Sequence, residues 1–297
     1  MNRLASVEPA APFAAARAGL HLALAARRWD PRLYQIATLA GLLGYGIWWL
    51  DLEVLPETAV AIIASALATQ LACSRLAGRG RFDPRSALIS GLSLCLLLRT
   101  GSLGLAMLAA AVAIASKFTL RVRGKHVFNP TNFALVAMML AVQDVWVSPG
   151  QWGSGIIFAF LLASAGGLVV NRAARADVTL AFLACYSCLL VGRSLWLGEP
   201  LAIPMHRLEN GALVLFSFFM ISDPRTTPDS RLGRILFAAL VALGAYTVQF
   251  WLFRTNGLLW SLSVCSLGVP LIDRLLPGPR YQWPPTETSR PGERSLV

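Results

Sequence analysis

Charge is what this sequence has least of. Only 14% of its 297 residues are Asp, Glu, Lys or Arg, where a soluble globular domain carries roughly 25%. Together with 56% hydrophobic residues and a mean hydropathy of +0.60, that scarcity excludes an ordinary soluble enzyme and a disordered chain. Acidic residues are scarcer than basic ones, 15 against 26, giving a net charge of +11. The arginines lie between apolar runs and not along one polar face, so no nucleic-acid partner is expected. Cysteine is sparse as well, and its five thiols sit in or beside apolar stretches, which rules out a secreted disulfide framework. Cys185 and Cys188 have C-x-x-C spacing but no second pair to complete a metal site, and they read as helix filler. The three histidines, His21, His126 and His206, are scattered, and no metal-ligand cluster, glycine-rich phosphate loop or nucleophile–base pair emerges.

What the sequence does have is ten apolar segments, near residues 34–52, 57–77, 86–98, 103–119, 132–147, 155–171, 177–193, 211–222, 234–253 and 258–275. They predict an all-α integral membrane protein of about ten spans. A spanning helix needs about 20 residues to cross a core near 30 Å. The third and eighth segments are too short, reaching about 20 Å at 1.5 Å per residue, and are expected to be half-helices. Assigning alternate loops to the cytoplasm puts 22 of the 26 Lys and Arg inside; only Arg99, Arg193, Arg207 and Arg254 fall outside. Both termini are then cytoplasmic, in a bacterial-type inner membrane. Trp48, Trp49, Trp146, Trp152 and Trp196 fall near the outer interface and read as an aromatic belt.

Three regions follow. Residues 1–33 form a basic N-terminal segment whose Ala-rich stretch 10–28 reads as an interfacial helix and not as a cleaved signal. Residues 34–276 are the membrane domain. Residues 277–297, with five prolines in the last 21 positions, read as a disordered cytoplasmic tail. Within the membrane domain the short segments fall at the same place in two halves, about 34–147 and 155–276. Ser86-Ala-Leu-Ile89 aligns with Gly211-Ala-Leu-Val214, and Asn129 with Asn256. Five spans per half is an odd number, so the halves are expected to be inverted, with the short helices flagging a central site.

Polar residues cluster at three places. Between Gly124 and Phe133, Lys125, His126, Asn129 and Asn132 gather at the mouth of the fifth span, with Asn129 placed as N-cap and Pro130 at the first helical position. The plain reading is a capped helix; the functional one is a site for an anion or a flavin edge at a helix N-terminus. The second place is Phe218–Pro228, where Asp223 follows the eighth segment at a helix C-terminus. A carboxylate is disfavoured there by roughly 0.3–1 kcal/mol. At headgroup level, water and Arg225 suffice; inside a cavity it needs a buried cation, either Lys117 or a transported ion. Third, Asp273 and Arg274, ending the tenth span, read as a headgroup anchor.

These motifs carry a resemblance. Lys125-His126 with Phe128-Asn129-Pro130, Asn210-Gly-Ala-Leu leading to Phe219-Met-Ile-Ser-Asp-Pro224, Gly233-Arg234-Ile-Leu-Phe237 and Pro270-Leu-Ile-Asp273 resemble the RnfD/NqrB family. Its members are membrane subunits of Rnf and Na+-pumping NADH:quinone oxidoreductase complexes. The resemblance implies ten spans in two inverted halves, related to urea transporters, electron transport coupled to ion movement, and other membrane or redox subunits as partners. It also implies flavin, esterified in that family to a Thr on a long outer loop between the fifth and sixth spans. Here that interval, Asp144–Gly155, holds Ser148 and Ser154 and no threonine. The expectation is therefore a reduced member without covalent FMN, similar to the UnbU type of biosynthetic clusters, for which noncovalent FMN or riboflavin is the flavin left. A solute or ion transporter without redox chemistry, or an accessory membrane component of a biosynthetic system, is the alternative.

The charge alternation makes a direct prediction. A single cysteine at position 144 is modified by an impermeant reagent on intact cells, whereas one at position 231 reacts only after permeabilisation. Reaction at 231 from outside overturns the topology.

Overall fold

A computed structural model describes residues 30–49, 52–78, 82–148, 166–167, 170 and 175–281. The contacts below all lie within one compact unit, Pro31–Trp283. The sequence reading of an interfacial helix at 10–28, most of the sixth span at 155–171, and the tail beyond 281 lie outside the described residues.

Ten helices follow one another among the described residues: α1 (Pro31–Trp49), α2 (Pro56–Leu76), α3 (Arg85–Leu97), α4 (Leu103–Thr119), α5 (Pro130–Ala141), α6 (Ala176–Leu197), α7 (Ala202–Leu208), α8 (Gly211–Leu215), α9 (Arg231–Phe250) and α10 (Gly257–Leu275). α8 continues as a π-helical turn, Phe216–Met220. Among the described residues, strands are confined to two short ladders, β1 (Leu98–Arg99) with β4 (Trp146–Val147), and β2 (Arg121–Val122) with β3 (Lys125–His126). The β2–β3 hairpin turns at Arg123-Gly124, both with positive φ, the geometry that matches the strand twist and that Gly124 adopts without strain. The protein is an all-α membrane protein: α2, α6, α9 and α10 are each long and apolar enough to cross a bilayer.

Their outward faces carry large apolar side chains, among them Val60, Leu180, Leu195, Leu240, Leu243, Val264 and Leu267. In water such patches would drive association; facing lipid tails they cost nothing. Trp48 and Trp49 at the end of α1, Trp196 at the end of α6, and Trp251 just after α9 are all strongly exposed, and all four lie at helix ends that the charge alternation assigns to the outer interface. The short helix α7, on the segment between α6 and α8, is an element the hydropathy pattern did not announce.

Because lipid tails are as apolar as leucine, the helices associate through close packing of small side chains. On α4 the buried stripe is Ala106, Ala109, Ala110 and Ala113, packed against α2, and the Ser65 hydroxyl donates to the Met107 carbonyl across that contact (2.8 Å). The same stripe recurs on α9 as Ala238, Val241, Ala242 and Ala245, packed against α6. The partner helices repeat too. Buried Ala59, Ile62, Ala66 and Ser74 of α2 correspond, 120 residues on, to buried Thr179, Phe182, Tyr186 and Ser194 of α6. Buried Pro130, Asn132, Ala134, Leu135 and Val136 of α5 correspond to Gly257, Leu259, Ser261, Leu262 and Ser263 of α10. α4 packs on α5 as α9 packs on α10, and α5 against α10 joins the halves. Asn132 fastens that joint: fully buried, it donates to the Leu259 carbonyl (3.2 Å) and the Ser263 hydroxyl (2.7 Å).

The two half-helices run in opposite senses. Residues at the start of α3 and after the end of α8 line one cavity, while the start of α8 and the end of α3 line another. α3 is 13 residues long, and α8 with its π turn spans Gly211–Met220, so neither crosses a bilayer alone.

Candidate functional site

The cavity at the start of α3 has a volume of about 300 Å³ and a polar wall. The spacing that builds it is helical. Ser86, Ser90 and Ser93 stand at i, i+4 and i+7 and so share one face of α3, and all three line the cavity. Around them converge the start of α1 with Arg32, α2 with Gln70, the end of α4 with Lys117, the hairpin with Arg121 and His126, the start of α5 with Asn129 and Thr131, and the loop after α8 with Ser222, Asp223 and Arg225. These are the helix ends that the charge alternation puts on one side of the membrane.

Several of these groups are bound to one another. Arg32 Nη1 donates to Asp83 Oδ2 at 2.5 Å. Lys117, only 5% exposed, donates from Nζ to both the carbonyl and the hydroxyl of Ser86, each at 2.9 Å. Arg121 Nε donates to the Lys117 carbonyl at the end of α4. Asn129 acts twice: its Oδ1 caps α5 by accepting from the Asn132 N–H (3.1 Å), and its Nδ2 donates to the Met220 carbonyl (3.4 Å) and Asp223 Oδ2 (3.3 Å). Asp223 also accepts from the Arg225 N–H (3.0 Å). Burial pushes the Asp223 carboxyl above the ordinary carboxylate range, while the Arg225 N–H and guanidinium and the Lys117 ammonium pull the other way.

The π turn that delivers Asp223 has a local cause. The Ile221 N–H reaches back five residues to the Phe216 carbonyl (3.0 Å), and the Ser217 carbonyl accepts instead from the Thr179 hydroxyl of α6 (2.8 Å). A side chain inserted into the helical ladder widens it by one residue.

The structure brings Lys117, Asp223, Arg225, Asn129 and His126 to this one cavity and places the other two sequence candidates elsewhere. Asn132 faces α10 in the joint described above. Lys125 lies in a neighbouring cluster, where its Nζ binds Asp229 Oδ1 (2.9 Å) and Asp273 Oδ2 (2.7 Å). Asp273 Oδ1 accepts from the Asp229 N–H (2.8 Å), and Arg234 of α9 pairs with Asp177 in the first turn of α6 while donating to the Asp229 carbonyl. The reading of Asp273 with Arg274 as a headgroup anchor is thereby corrected: Arg274 is exposed, and the cation on Asp273 is Lys125. Sequence reasoning missed Arg32, Asp83, Gln70 and the serine face of α3. The Ser86-x-x-x-Ser90-x-x-Ser93 spacing was the available signal.

A second cavity of about 190 Å³ lies at the start of α8, bounded by Leu97, Leu213, Phe216, Met220, Leu258 and Leu259, with Arg207, Arg254, Tyr186, Gln249 and Asn256 at its polar edge. Tyr186 Oη donates to Gln249 Oε1 (2.8 Å). Met220 lines both cavities and stands between them.

The Lys125 cluster yields a stability prediction. Lys125→Met leaves two largely buried carboxylates facing each other without their cation, and should cost about 3–5 kcal/mol, read as a large fall in the thermal unfolding temperature of the purified protein. Arg274→Met should leave that temperature unchanged. The reverse order would restore the headgroup-anchor reading.

Comparison with known proteins points to one family. Residues 139–281 match the NQR2, RnfD, RnfE family. The chain is similar to the RnfD component of the ion-translocating oxidoreductase complex of Escherichia coli (strain K12), with 32% identity over 126 residues, 41% of this chain and 35% of the relative. The protein of the same name from Escherichia coli O1:K1 / APEC is 33% identical over the same shares. The chain thus spans about a third of the length of the curated relatives it matches. The region that holds α6 to α10, the Asp223-Pro224 turn and the Asp229–Asp273 side of the Lys125 cluster is the region matched to the NQR2, RnfD, RnfE family.

Proposed function

We propose that this chain is a membrane subunit of an ion-translocating electron-transport system of RnfD/NqrB type, working beside other membrane or redox subunits in a bacterial-type inner membrane with both termini cytoplasmic. The observation that carries the reading is a coincidence of place: the family match covers the half-helix α8 and the Asp-Pro turn that close the polar cavity. An ionisable cluster at the ends of two opposed half-helices is where transporter folds handle charge. The Lys/Arg asymmetry and the placement of Trp48, Trp49, Trp196 and Trp251 support the orientation.

In this reading the chain holds no covalent FMN, because the sequence from Asp144 to Gly155 offers no threonine to esterify. Any flavin is FMN or riboflavin held without a bond to the protein, and His126 and Asn129 are the sequence candidates that line the cavity. Lys125 serves the neighbouring ion-pair cluster. Electrons then pass through cofactors of partner subunits or through a releasable flavin. The opposed cavities sharing Met220 favour a second reading, a solute or ion transporter that uses the same path without redox chemistry.

The visible spectrum of the purified protein separates the two. An absorption band near 450 nm that leaves the protein on denaturation, with no fluorescent band after denaturing electrophoresis, is the expected result. A fluorescent band that survives electrophoresis overturns the absence of covalent flavin. No flavin at all, with solute-dependent flux in liposomes, moves the function to the transporter reading.

A further inference from the structure

The charge lining the polar cavity is unbalanced. Arg32, Lys117, Arg121 and Arg225 face it, against Asp83 and Asp223. Arg32 is paired with Asp83 and one further cation offsets an ionised Asp223, so two of these positive charges are left unmatched, and three when Asp223 is protonated. The starts of α3 and α5 also open onto it, and helix N-termini add partial positive charge.

The donors are uneven in how much they are used. Lys117, buried to 5% exposure, spends two of its three N–H bonds on Ser86, and its third has no partner among the described residues. The Arg225 side chain makes no hydrogen bond or ion pair among the described residues, and its planar fork suits two oxygens of one oxyanion. The Lys117 ammonium also occupies the carbonyl and hydroxyl oxygens of Ser86, the ligands a monovalent cation would use. A cavity of about 300 Å³ holds about ten waters at roughly 30 Å³ each, so it admits more than a bare ion.

We propose that this cavity binds a phosphate group, held by the Arg225 guanidinium and the remaining Lys117 N–H against the α3 and α5 N-termini. The phosphate belongs either to a free phosphomonoester or inorganic phosphate, or to the headgroup of an anionic lipid. The site stands on this chain's own geometry and does not depend on the electron-transport reading.

The test uses the full chain in nanodiscs of phosphatidylcholine, with and without phosphatidylglycerol. Inorganic phosphate is titrated at constant ionic strength, thermal unfolding is followed, and co-purified lipid is read by native mass spectrometry. If the source is free phosphate, stabilisation is saturable in phosphatidylcholine discs, exceeds that of chloride, and weakens at least tenfold in Arg225→Gln. If the source is lipid, one phosphatidylglycerol stays with the wild type and is lost from Arg225→Gln. Lys117→Met provides a second variant with the same expected loss, and Arg274→Gln, on an exposed side chain, should change neither readout. No saturable phosphate response together with no retained phosphatidylglycerol overturns the proposal. So does a stabilisation by sodium that Arg225→Gln leaves untouched.

Discussion

Backbone polar groups inside a bilayer must find partners within the protein, since no water is there to take them. A full-length helix meets that demand at headgroup level, but α3 and α8 end inside the protein and expose their terminal groups where burial is costly. Each of those ends has been given a side chain. Arg99, almost fully buried, donates to the carbonyls of Cys95, Leu96 and Leu98 where α3 stops. Asn210 accepts from the Ala212 N–H where α8 starts, and Asn129 donates to the Met220 carbonyl where it ends. Polar residues deep in the fold are there first because two helices are short.

The same constraint explains why the polar groups collect into cavities. Two antiparallel half-helices laid end to start leave a hollow beyond each start, and the neighbouring full spans wall it in. One hollow is ringed by arginine, lysine and aspartate because its rim lies at the Lys/Arg-rich ends of α1, α4 and the hairpin; the other is mostly apolar, with Arg207, Arg254, Tyr186, Gln249 and Asn256 at its edge. The asymmetry between them is chemical and not architectural. The first hollow carries the Arg32–Asp83 ion pair and hydrogen-bonded serines on its wall, whereas the second is an apolar body with a polar edge that includes Arg207 and Arg254.

Span position was legible in the sequence for the described spans, because apolar runs separated by arginines leave little freedom: α4 begins and ends where hydropathy put it, and α2, α3, α6 and α10 begin within one residue. The repeat was only partly legible. Sequence comparison finds Ser86 with Gly211 and Asn129 with Asn256, at two different spacings. The buried faces repeat at further spacings still, 120 residues for α2 and α6, and what recurs is burial, not identity or size, as in Ala59 with Thr179 or Ala66 with Tyr186. Half of the site was legible, through Lys117, Asn129, Asp223 and Arg225, because charge beside an abbreviated span needs an explanation. Arg32 and Asp83 escaped notice because a basic loop already accounts for an arginine. Lys125 was misjudged for a different reason: its two carboxylates, Asp229 and Asp273, come from positions more than 100 residues away, a pairing that only the α9–α10 packing creates.

The account stands on two opposed half-helices whose hollows open to opposite sides. Side-specific thiol modification tests that most directly, using Ser93→Cys in the polar cavity and Ala212→Cys in the second, each in a background with the five native cysteines replaced by alanine. In proteoliposomes of known orientation, a small charged thiosulfonate should reach position 93 only from the Lys/Arg-rich side and position 212 only from the other. Modification of both positions from the same side would contradict the opposed arrangement on which the rest depends.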